Sequence, residues 1–207
     1  MKHLLFDFDG VIVDSFQIAF ETTNLFLTNK MSENEYRARF NGNIYDTKEI
    51  DVLMHQNQED NILDENDPFF KKYVPLLLEI EPVKGIKEVL AELVKMHQMS
   101  IISSTISEPI TRYLKKYDLD YFESVYGGDI DKNKRRKIMA YLEKYNITPN
   151  EVLFITDTLG DIEEAKSTGV QAIAVNWGYQ AEPTLKLGAP VCVVHKVKEL
   201  LTVIKKM

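Results

Sequence analysis

The spacing of hydrophobic positions along the chain changes once, close to Pro82. Between residues 15 and 82 the apolar positions recur with helical spacing, and no run of β type interrupts them. This pattern predicts helices at residues 15–29, 33–40, 46–56 and 67–79, the first of them with Ser15 as its N-cap. The region from 15 to 82 is therefore predicted to be all-helical.

After Pro82, short apolar runs alternate with amphipathic segments. The runs predict strands at residues 99–102, 122–126, 151–155, 170–175 and 191–194, and the segments predict helices at 85–97, 107–117, 134–145, 161–168 and 197–205. A further strand is predicted at residues 3–7. Alternating strands and helices are typical of a parallel sheet with right-handed crossovers. The predicted fold class is α/β: a Rossmann-like parallel sheet core of residues 1–14 and 83–207, with an inserted all-helical domain at 15–82.

Composition and charge narrow the range of partners. Of the 207 residues 44% are hydrophobic and 28% charged, and the net charge is −7, which argues against a nucleic-acid partner. No apolar stretch approaches the ~20 residues of a membrane span. The single cysteine, Cys192, allows no disulfide within the chain, and no signal peptide is recognised, so we expect a cytoplasmic location.

Two aspartates follow directly on the first predicted strand. Asp7 and Asp9 stand at its carboxyl end, where an open α/β sheet binds its ligand, and Gly10 lets the backbone turn sharply beside them. Carboxylates this close together need a compensating cation, and hard oxygen ligands favour Mg2+. The pair therefore predicts an active site that binds Mg2+.

Other polar residues follow later strands of the same sheet. Ser103 and Ser104 come where hydroxyl and backbone N–H groups can hold an oxyanion, although a serine at this position can also cap the next helix. Asp157 follows another apolar strand and is a candidate metal ligand. Asp161 could either cap the following helix or support the metal.

A basic run lies between these two groups. It contains Lys132, Lys134, Arg135, Arg136 and Lys137. One lysine of the run could neutralise an anionic substrate and the carboxylate that attacks it, while the others are predicted to be solvated at the start of a helix.

Together these groups suit phosphoryl transfer. One carboxylate can attack phosphorus to form an aspartyl-phosphate, which water then cleaves. A second carboxylate two residues further on can protonate the leaving oxygen and later deprotonate water. Mg2+ and a lysine can spread the charge of the transferring group.

The same residues resemble the motifs of the haloacid dehalogenase superfamily, in its phosphoglycolate phosphatase and β-phosphoglucomutase-like branch. Residues 7–14 are similar to the first motif, Asp-x-Asp-Gly-(Val/Thr)-(Ile/Leu)-x-Asp, and the later motifs are met in order by Ser103, by Lys134 with Lys132 as the alternative, and by residues 157–161. The resemblance implies the following roles: Asp7 nucleophile; Asp9 general acid/base; Ser103, Ser104 and Lys134 phosphate ligands; Asp7, the Asp9 backbone carbonyl and Asp157 ligands of Mg2+; Asp161 their support.

The chain departs from the family pattern at two positions. Thr156 stands where the fourth motif has glycine, and Arg135 where a proline commonly follows the motif lysine. The helical insert resembles the family's small cap, which closes over the site and excludes water. Members of the family have a substrate-reading loop at the place of the turn formed here by residues 40–45. Asn41, Asn43 and Tyr45 are therefore weak candidates for substrate specificity, and an ordinary interhelical turn is the alternative.

The expected function is a Mg2+-dependent phosphomonoesterase that acts on a small phosphorylated metabolite. A sugar phosphomutase is the enzyme alternative, weakened because Ala19 stands where β-phosphoglucomutases have a histidine. A catalytically silent protein that binds a phosphometabolite or a protein partner is the second alternative. The sequence does not indicate which phosphorylated substrate is used or what the oligomeric state is.

Overall fold

A computed structural model describes residues 2–46 and 63–207. Its centre is a six-stranded sheet with the order β3-β2-β1-β4-β5-β6, in which every neighbouring pair is parallel. The strands are β1 (His3–Phe6), β2 (Gln98–Ile102), β3 (Ser124–Tyr126), β4 (Val152–Thr156), β5 (Gln171–Val175) and β6 (Cys192–Val194). The predicted α/β fold with a Rossmann-like parallel sheet is confirmed.

The first strand lies in the middle of this sheet, and all of its residues are buried. Leu4 pairs with Met99 of β2 on one side and with Leu153 of β4 on the other. Side chains alternate between the two faces of a strand, so Leu4 and Phe6 join one hydrophobic cluster and Leu5 joins the other. Burial on both faces explains the continuous apolar run at the N-terminus.

Helices cover both faces of the sheet. They are α1 (Phe16–Phe26), α2 (Glu33–Ala38), α3 (Pro68–Leu77), α4 (Ile86–Leu93), α5 (Ser107–Lys116), α6 (Lys134–Tyr145), α7 (Leu159–Ser167), α8 (Glu182–Leu185) and α9 (Glu199–Ile204). Helices α4, α5 and α9 pack on the face of Leu4, and α6, α7 and α8 pack on the face of Leu5. None of the helices in the described part is long and apolar enough to cross a bilayer.

Helices α1, α2 and α3 are inserted between β1 and α4. The chain leaves the sheet and returns to it side by side, since Val13 forms an isolated antiparallel bridge with Pro82 and the Val83 N–H donates to the Ile12 carbonyl over 2.8 Å. The described part of the insertion contains helices and 3-10 turns but no strand. The domain boundaries at 14 and 83 stay a prediction, and the helix predicted at 46–56 lies outside the described residues, except for its first residue.

The ends of several predicted elements differ from those observed. α1 ends at Phe26 instead of continuing to residue 29, because the Asn24 side chain hydrogen-bonds the backbone of Met31 in the following turn. The strand predicted at 122–126 begins at Ser124. Helix α8 is not predicted by the pattern, since four residues that include Pro183 carry too little periodicity.

Candidate active site

The carboxyl ends of the central strands bring the predicted site residues to one edge of the sheet. Asp7 follows β1, Ser103 follows β2 and Asp157 follows β4, and these three strands are neighbours. In a parallel sheet all such ends lie on the same side, so residues that are far apart in sequence converge there. Asp7 and Asp157 line a single cavity at this edge.

Lys134 connects two carboxylates at the base of the cavity. Its ammonium group lies 2.8 Å from Asp7 Oδ2 and 2.7 Å from Asp161 Oδ2, and all three side chains are buried. The other oxygen of Asp7, Oδ1, accepts a hydrogen bond of 2.8 Å from the backbone N–H of Phe8. Of the two candidate lysines, Lys134 is therefore the one that reaches Asp7, whereas the amine of Lys132 lies 5.7 Å from the ring centre of Tyr45.

Burial and neighbouring charges shift the pKa values of Asp7, Lys134 and Asp161 in opposite directions. Burial raises the pKa of Asp7 well above its ordinary value, Lys134 opposes that rise, and the nearby carboxylates of Asp161 and Asp157 add to it. Burial alone would lower the pKa of Lys134, but Asp161 and Asp7 outweigh it and raise that pKa. Burial likewise opposes ionisation of Asp161, yet Lys134 and the surrounding hydrogen bonds hold its pKa below the usual value.

The contacts of Asp161 decide between its two alternatives, capping of the next helix and support of the site. The N-cap of α7 is Thr158, whose hydroxyl accepts from the Asp161 backbone N–H over 3.4 Å, so the capping alternative for the Asp161 side chain is wrong. The Asp161 carboxylate accepts from Lys134 and, over 2.6 Å, from the hydroxyl of Thr156. The threonine that replaces the family's glycine thus holds Asp161 in place.

Asp157 is buried completely and is paired through only one of its oxygens. Oδ2 accepts from the backbone N–H of Tyr179 over 2.6 Å, whereas Oδ1 has no hydrogen-bond partner among the described residues. Burial raises the pKa of Asp157 to about 7. Gly10, at φ 74°, and Gly178 approach its carboxylate so closely that a Cβ at either position would overlap it. The backbone is therefore shaped around this carboxylate.

Asp9 is surrounded by hydroxyl groups. Oδ1 accepts from Ser15 over 2.7 Å and also from Tyr73, and Oδ2 accepts from Thr105 over 2.7 Å. Burial, followed by the charge of Asp9, raises the pKa of Tyr73 well above its ordinary value, so the phenol remains a donor. Ser15 occupies the N-cap position of α1, but its side chain makes no capping hydrogen bond because the hydroxyl is directed at Asp9.

The two serines after β2 differ in their position. The Ser103 side chain is fully buried and accepts from the Thr105 backbone N–H over 3.0 Å, whereas Ser104 lines the cavity. Neither serine caps α5. The carboxylate of Asp129 instead accepts from the backbone N–H of Ser107, the first residue of that helix, over 2.6 Å. The capping alternative is therefore wrong for both serines.

Lys137 is the residue whose environment differs most from the prediction. It is 1% exposed, and its amine donates to the backbone carbonyl of Ser103 and, over 3.2 Å, to that of Gly127. Burial and the nearby charge of Lys134 lower the pKa of Lys137 to about 7. The prediction of a solvated side chain is wrong here, because the loop carbonyls beside the site require a buried donor.

The three specificity candidates in the insertion are placed unequally. Asn43 lines the cavity and donates to the carboxylate of Glu164 over 2.9 Å. Tyr45 also lines the cavity, and its hydroxyl donates to the Ser104 carbonyl over 2.6 Å. Asn41 is not among the lining residues and accepts from the Gln180 side chain over 2.9 Å.

Aromatic residues make up half of the rest of the cavity wall. Apart from the residues already described, it is formed by Ala19, Thr23, Tyr36, Phe40, Gly42, Ile44, Phe69, Phe70, Thr158 and Tyr179. Lys134 is the one cationic side chain among the described residues that line the cavity. Both carboxylates that Lys134 contacts belong to the site itself.

The charges and donors at the sheet edge fit a divalent cation. Three buried carboxyl groups, those of Asp7, Asp157 and Asp161, share this edge with one ammonium group, that of Lys134. Burial and the neighbouring carboxylates raise the pKa values of Asp7 and Asp157, and Oδ1 of Asp157 has no hydrogen-bond donor in the described part. No group of three or more His, Cys, Asp and Glu side chains forms a metal site among the described residues. The Mg2+ ligands predicted from the sequence are not such a group, because one of them is the backbone carbonyl of Asp9. Carboxylate and carbonyl oxygens are ligands that Mg2+ accepts.

The chain belongs to the haloacid dehalogenase-like hydrolase family, whose model matches residues 4–175. The predicted family and the class of enzyme, a hydrolase of that family, are confirmed. A phosphorylated carbohydrates phosphatase of Thermotoga maritima is 27% identical over 225 residues that cover 100% of both chains. A phosphoglycolate phosphatase of Photorhabdus laumondii is 29% identical over 143 residues, which are 67% of this chain but only 60% of that protein.

A solved structure shows the same fold. The haloacid dehalogenase-like family hydrolase from Streptococcus pneumoniae superposes with a TM-score of 0.77 and 20% identity, over 99% of this chain and 98% of the other. At this identity the similarity concerns the fold alone.

Proposed function

We propose that the protein is a Mg2+-dependent phosphomonoesterase that hydrolyses a small phosphorylated metabolite through an aspartyl-phosphate on Asp7. The observation that carries the proposal is the buried contact of Lys134 with both Asp7 and Asp161, at the edge of a cavity that Asp9 also lines. The names of the relatives, which include a phosphoglycolate phosphatase and a phosphorylated carbohydrates phosphatase, support the same reaction class.

The first chemical step assigns different tasks to the two aspartates of the first motif. Oδ of Asp7 attacks phosphorus, the bond from phosphorus to the ester oxygen breaks, and that oxygen takes the proton of the Asp9 carboxyl group. Lys134 lies within reach of Asp7, so its charge also faces the phosphoryl group and stabilises the negative charge that accumulates there.

The second step reverses the role of Asp9. Its carboxylate accepts a proton from water, which attacks the phosphorus of the aspartyl-phosphate and releases Asp7 and inorganic phosphate. In this proposal Asp7, the Asp9 carbonyl and Asp157 hold Mg2+. When bound, Mg2+ supplies positive charge that neutralises the phosphoryl oxygens and the excess carboxylates.

The cavity wall supports a narrower substrate class within this reaction. Aromatic rings from the insertion face the site, and the acidic side chain of Glu164 lines the same space. Among the described residues that line the cavity, Lys134 is the one cation, and it is paired with Asp7 and Asp161. A leaving alcohol that carries its own carboxylate would therefore meet the acidic side chain of Glu164 without a cation to offset it. Esters with an uncharged leaving alcohol are therefore the preferred substrates in this proposal, and phosphoglycolate is a poor one.

Phosphate release from a panel of phosphate esters, with and without Mg2+, tests the proposal. Wild type is expected to release phosphate only with Mg2+, and Asp7→Asn is expected to lose more than ~10³-fold of that rate because the nucleophile is removed. Asp120→Asn, at an exposed aspartate, serves as the matched control. Retained hydrolysis by Asp7→Asn would contradict the nucleophile. Transfer of phosphate between two positions of a sugar, without release, would favour the phosphomutase instead.

A further inference from the structure

The hydroxyl groups around Asp9 come from different parts of the chain. Thr105 follows β2, Ser15 precedes α1, and Tyr73 lies in α3 within the insertion. The contact of Tyr73 with Asp9 spans 64 positions of sequence and joins the inserted helices directly to the aspartate proposed as general acid/base.

Packing fixes the position of the Tyr73 ring. The residue is 1% exposed, and its ring stacks on that of Phe69 with centroids 5.1 Å apart and planes inclined by 20°. A tyrosine has only two side-chain torsions, so a ring held in this way also holds its hydroxyl. The phenol of Tyr73 therefore reaches Asp9 only when α3 lies over the sheet edge as it does here.

The hydrogen bonds are divided unequally between the two oxygens of Asp9. Oδ1 accepts from Ser15 and Tyr73, whereas Oδ2 accepts from Thr105. A carboxylate oxygen can accept about two hydrogen bonds. Within the described part, Oδ2 is thus the oxygen with remaining capacity, and it is the natural carrier of the proton that passes to the leaving oxygen.

We propose that Tyr73 is a positioning residue that orients Asp9 for proton transfer to the leaving alcohol once the inserted helices are seated over the site. The proposal rests on the proposed phosphomonoesterase function. In the step concerned, the ester bond between phosphorus and oxygen breaks, the bonding electron pair stays on the alcohol oxygen, and the proton moves to it from Oδ2 of Asp9. Tyr73 keeps its own proton and holds Oδ1.

The dependence of the rate on the leaving group tests this role. An alkyl phosphate needs a proton on its leaving oxygen, whereas p-nitrophenol leaves readily as an anion and needs none. Tyr73→Phe is expected to lower kcat/KM, which reports the steps up to release of the alcohol, about 10-fold for glycerol 2-phosphate and less than about 3-fold for p-nitrophenyl phosphate. Loss of packing alone would reduce both rates by the same factor.

Tyr113→Phe is the matched control, because it removes a buried hydroxyl that donates to the Ile80 carbonyl over 2.9 Å and does not contact Asp9. It is expected to keep the wild-type ratio of the two rates. Ser15→Ala, which removes the other donor to Oδ1, should shift the ratio in the same direction as Tyr73→Phe and provides the test should Tyr73→Phe not fold. Thermal unfolding of each variant checks the fold.

Two results would overturn the proposal. The first would leave the proposed phosphatase function standing, and the second would not. Equal effects of Tyr73→Phe and Ser15→Ala on both esters, with an active wild type, would overturn the positioning role and leave the phosphatase intact. No phosphate release by wild type from either ester would overturn the proposed function, and the role of Tyr73 with it.

Discussion

The sheet edge and the inserted helices line one cavity with different kinds of side chain. At the sheet edge, Lys134 contacts Asp7 and Asp161, Asp157 lines the same cavity, and all four are buried. The insertion contributes mainly aromatic rings, together with small polar groups such as Asn43. The first region is thus rich in charge that strand ends hold in place, and the second is nearly free of charge in its described part.

This difference separates two kinds of effect. Charges at the sheet edge act on the phosphoryl group, which is common to every substrate, so changes there should reduce all activities by the same factor. Rings and polar groups in the wall meet the alcohol part, so changes there should alter the ratio between substrates. Tyr73 lies between these cases, because it belongs to the insertion but contacts a catalytic aspartate.

Among the substitutions that test this comparison, Lys134→Met is expected to have the largest effect and to act on all substrates equally. It leaves Asp7 and Asp161 buried without their cation, which costs about 3–5 kcal/mol of stability. Loss of one charge that stabilises the transition state should reduce kcat about 10²–10³-fold for every ester. Urea unfolding and a rate panel measure the two effects.

Lys115→Met, at an exposed lysine of α5, is the control for Lys134→Met and should change neither quantity. If the loss of kcat in Lys134→Met differed by more than tenfold between esters, a sheet-edge residue would select substrates. The distinction between the two regions would then fail.

The predicted preference for an uncharged leaving alcohol tests the role of the cavity wall, which meets the alcohol part of the substrate. 2-Hydroxyethyl phosphate and phosphoglycolate have nearly the same size and differ by one carboxylate. Wild type is expected to hydrolyse the first with a kcat/KM about 10-fold higher, because a like charge near Glu164 costs about 1–2 kcal/mol. Glu164→Gln should narrow this ratio, and steady-state kinetics measure it.

Glu163→Gln, at the exposed neighbour of Glu164, is the control and should keep the wild-type ratio. A preference of wild type for phosphoglycolate would mean that the cavity wall binds a carboxylate. That would contradict the assignment of charge to the sheet edge alone.

The order of strands and helices and the convergence of Asp7 and Asp157 at one edge of the sheet could be predicted from the residues alone, whereas the choice of Lys134 over Lys132 came from the resemblance to the family. Apolar runs locate the strands of a buried parallel sheet, and such strands place their carboxyl ends together whatever the sequence separation. The contact between Tyr73 and Asp9 could not be predicted in this way. Hydrophobic periodicity reports which face of a helix is buried, but not which polar atom a buried hydroxyl meets.

The surroundings of Ser15 and Lys137 were also predicted wrongly. Ser15 stands at the N-cap position of α1, where capping is the common role, yet its hydroxyl donates to Asp9 instead. Lys137 lies in a basic run that suggests solvent exposure. Only the arrangement of the loops after β2 and β3 creates the carbonyl pair that it satisfies.

The last prediction is on stability alone and concerns Lys137, which supports the sheet edge. Burial lowers its pKa to about 7 in the folded protein, below the ordinary lysine value of 10.5. Between these two values the unfolded chain binds more protons than the folded one, so the contribution of Lys137 to stability rises with pH. The free energy of unfolding of wild type, relative to Lys137→Met, should increase by about 2 kcal/mol from about pH 7 to about pH 9.

The difference between wild type and Lys137→Met isolates this residue, because other titrating groups are common to both proteins. Below about pH 6 the lysine is charged in both states, so the difference should become constant there. Lys115→Met, at an exposed lysine, should show no such slope. A difference that does not change with pH would mean that Lys137 stays charged in the fold. The sheet edge would then carry a second permanent cation, and the charge excess that favours Mg2+ would be smaller by that amount.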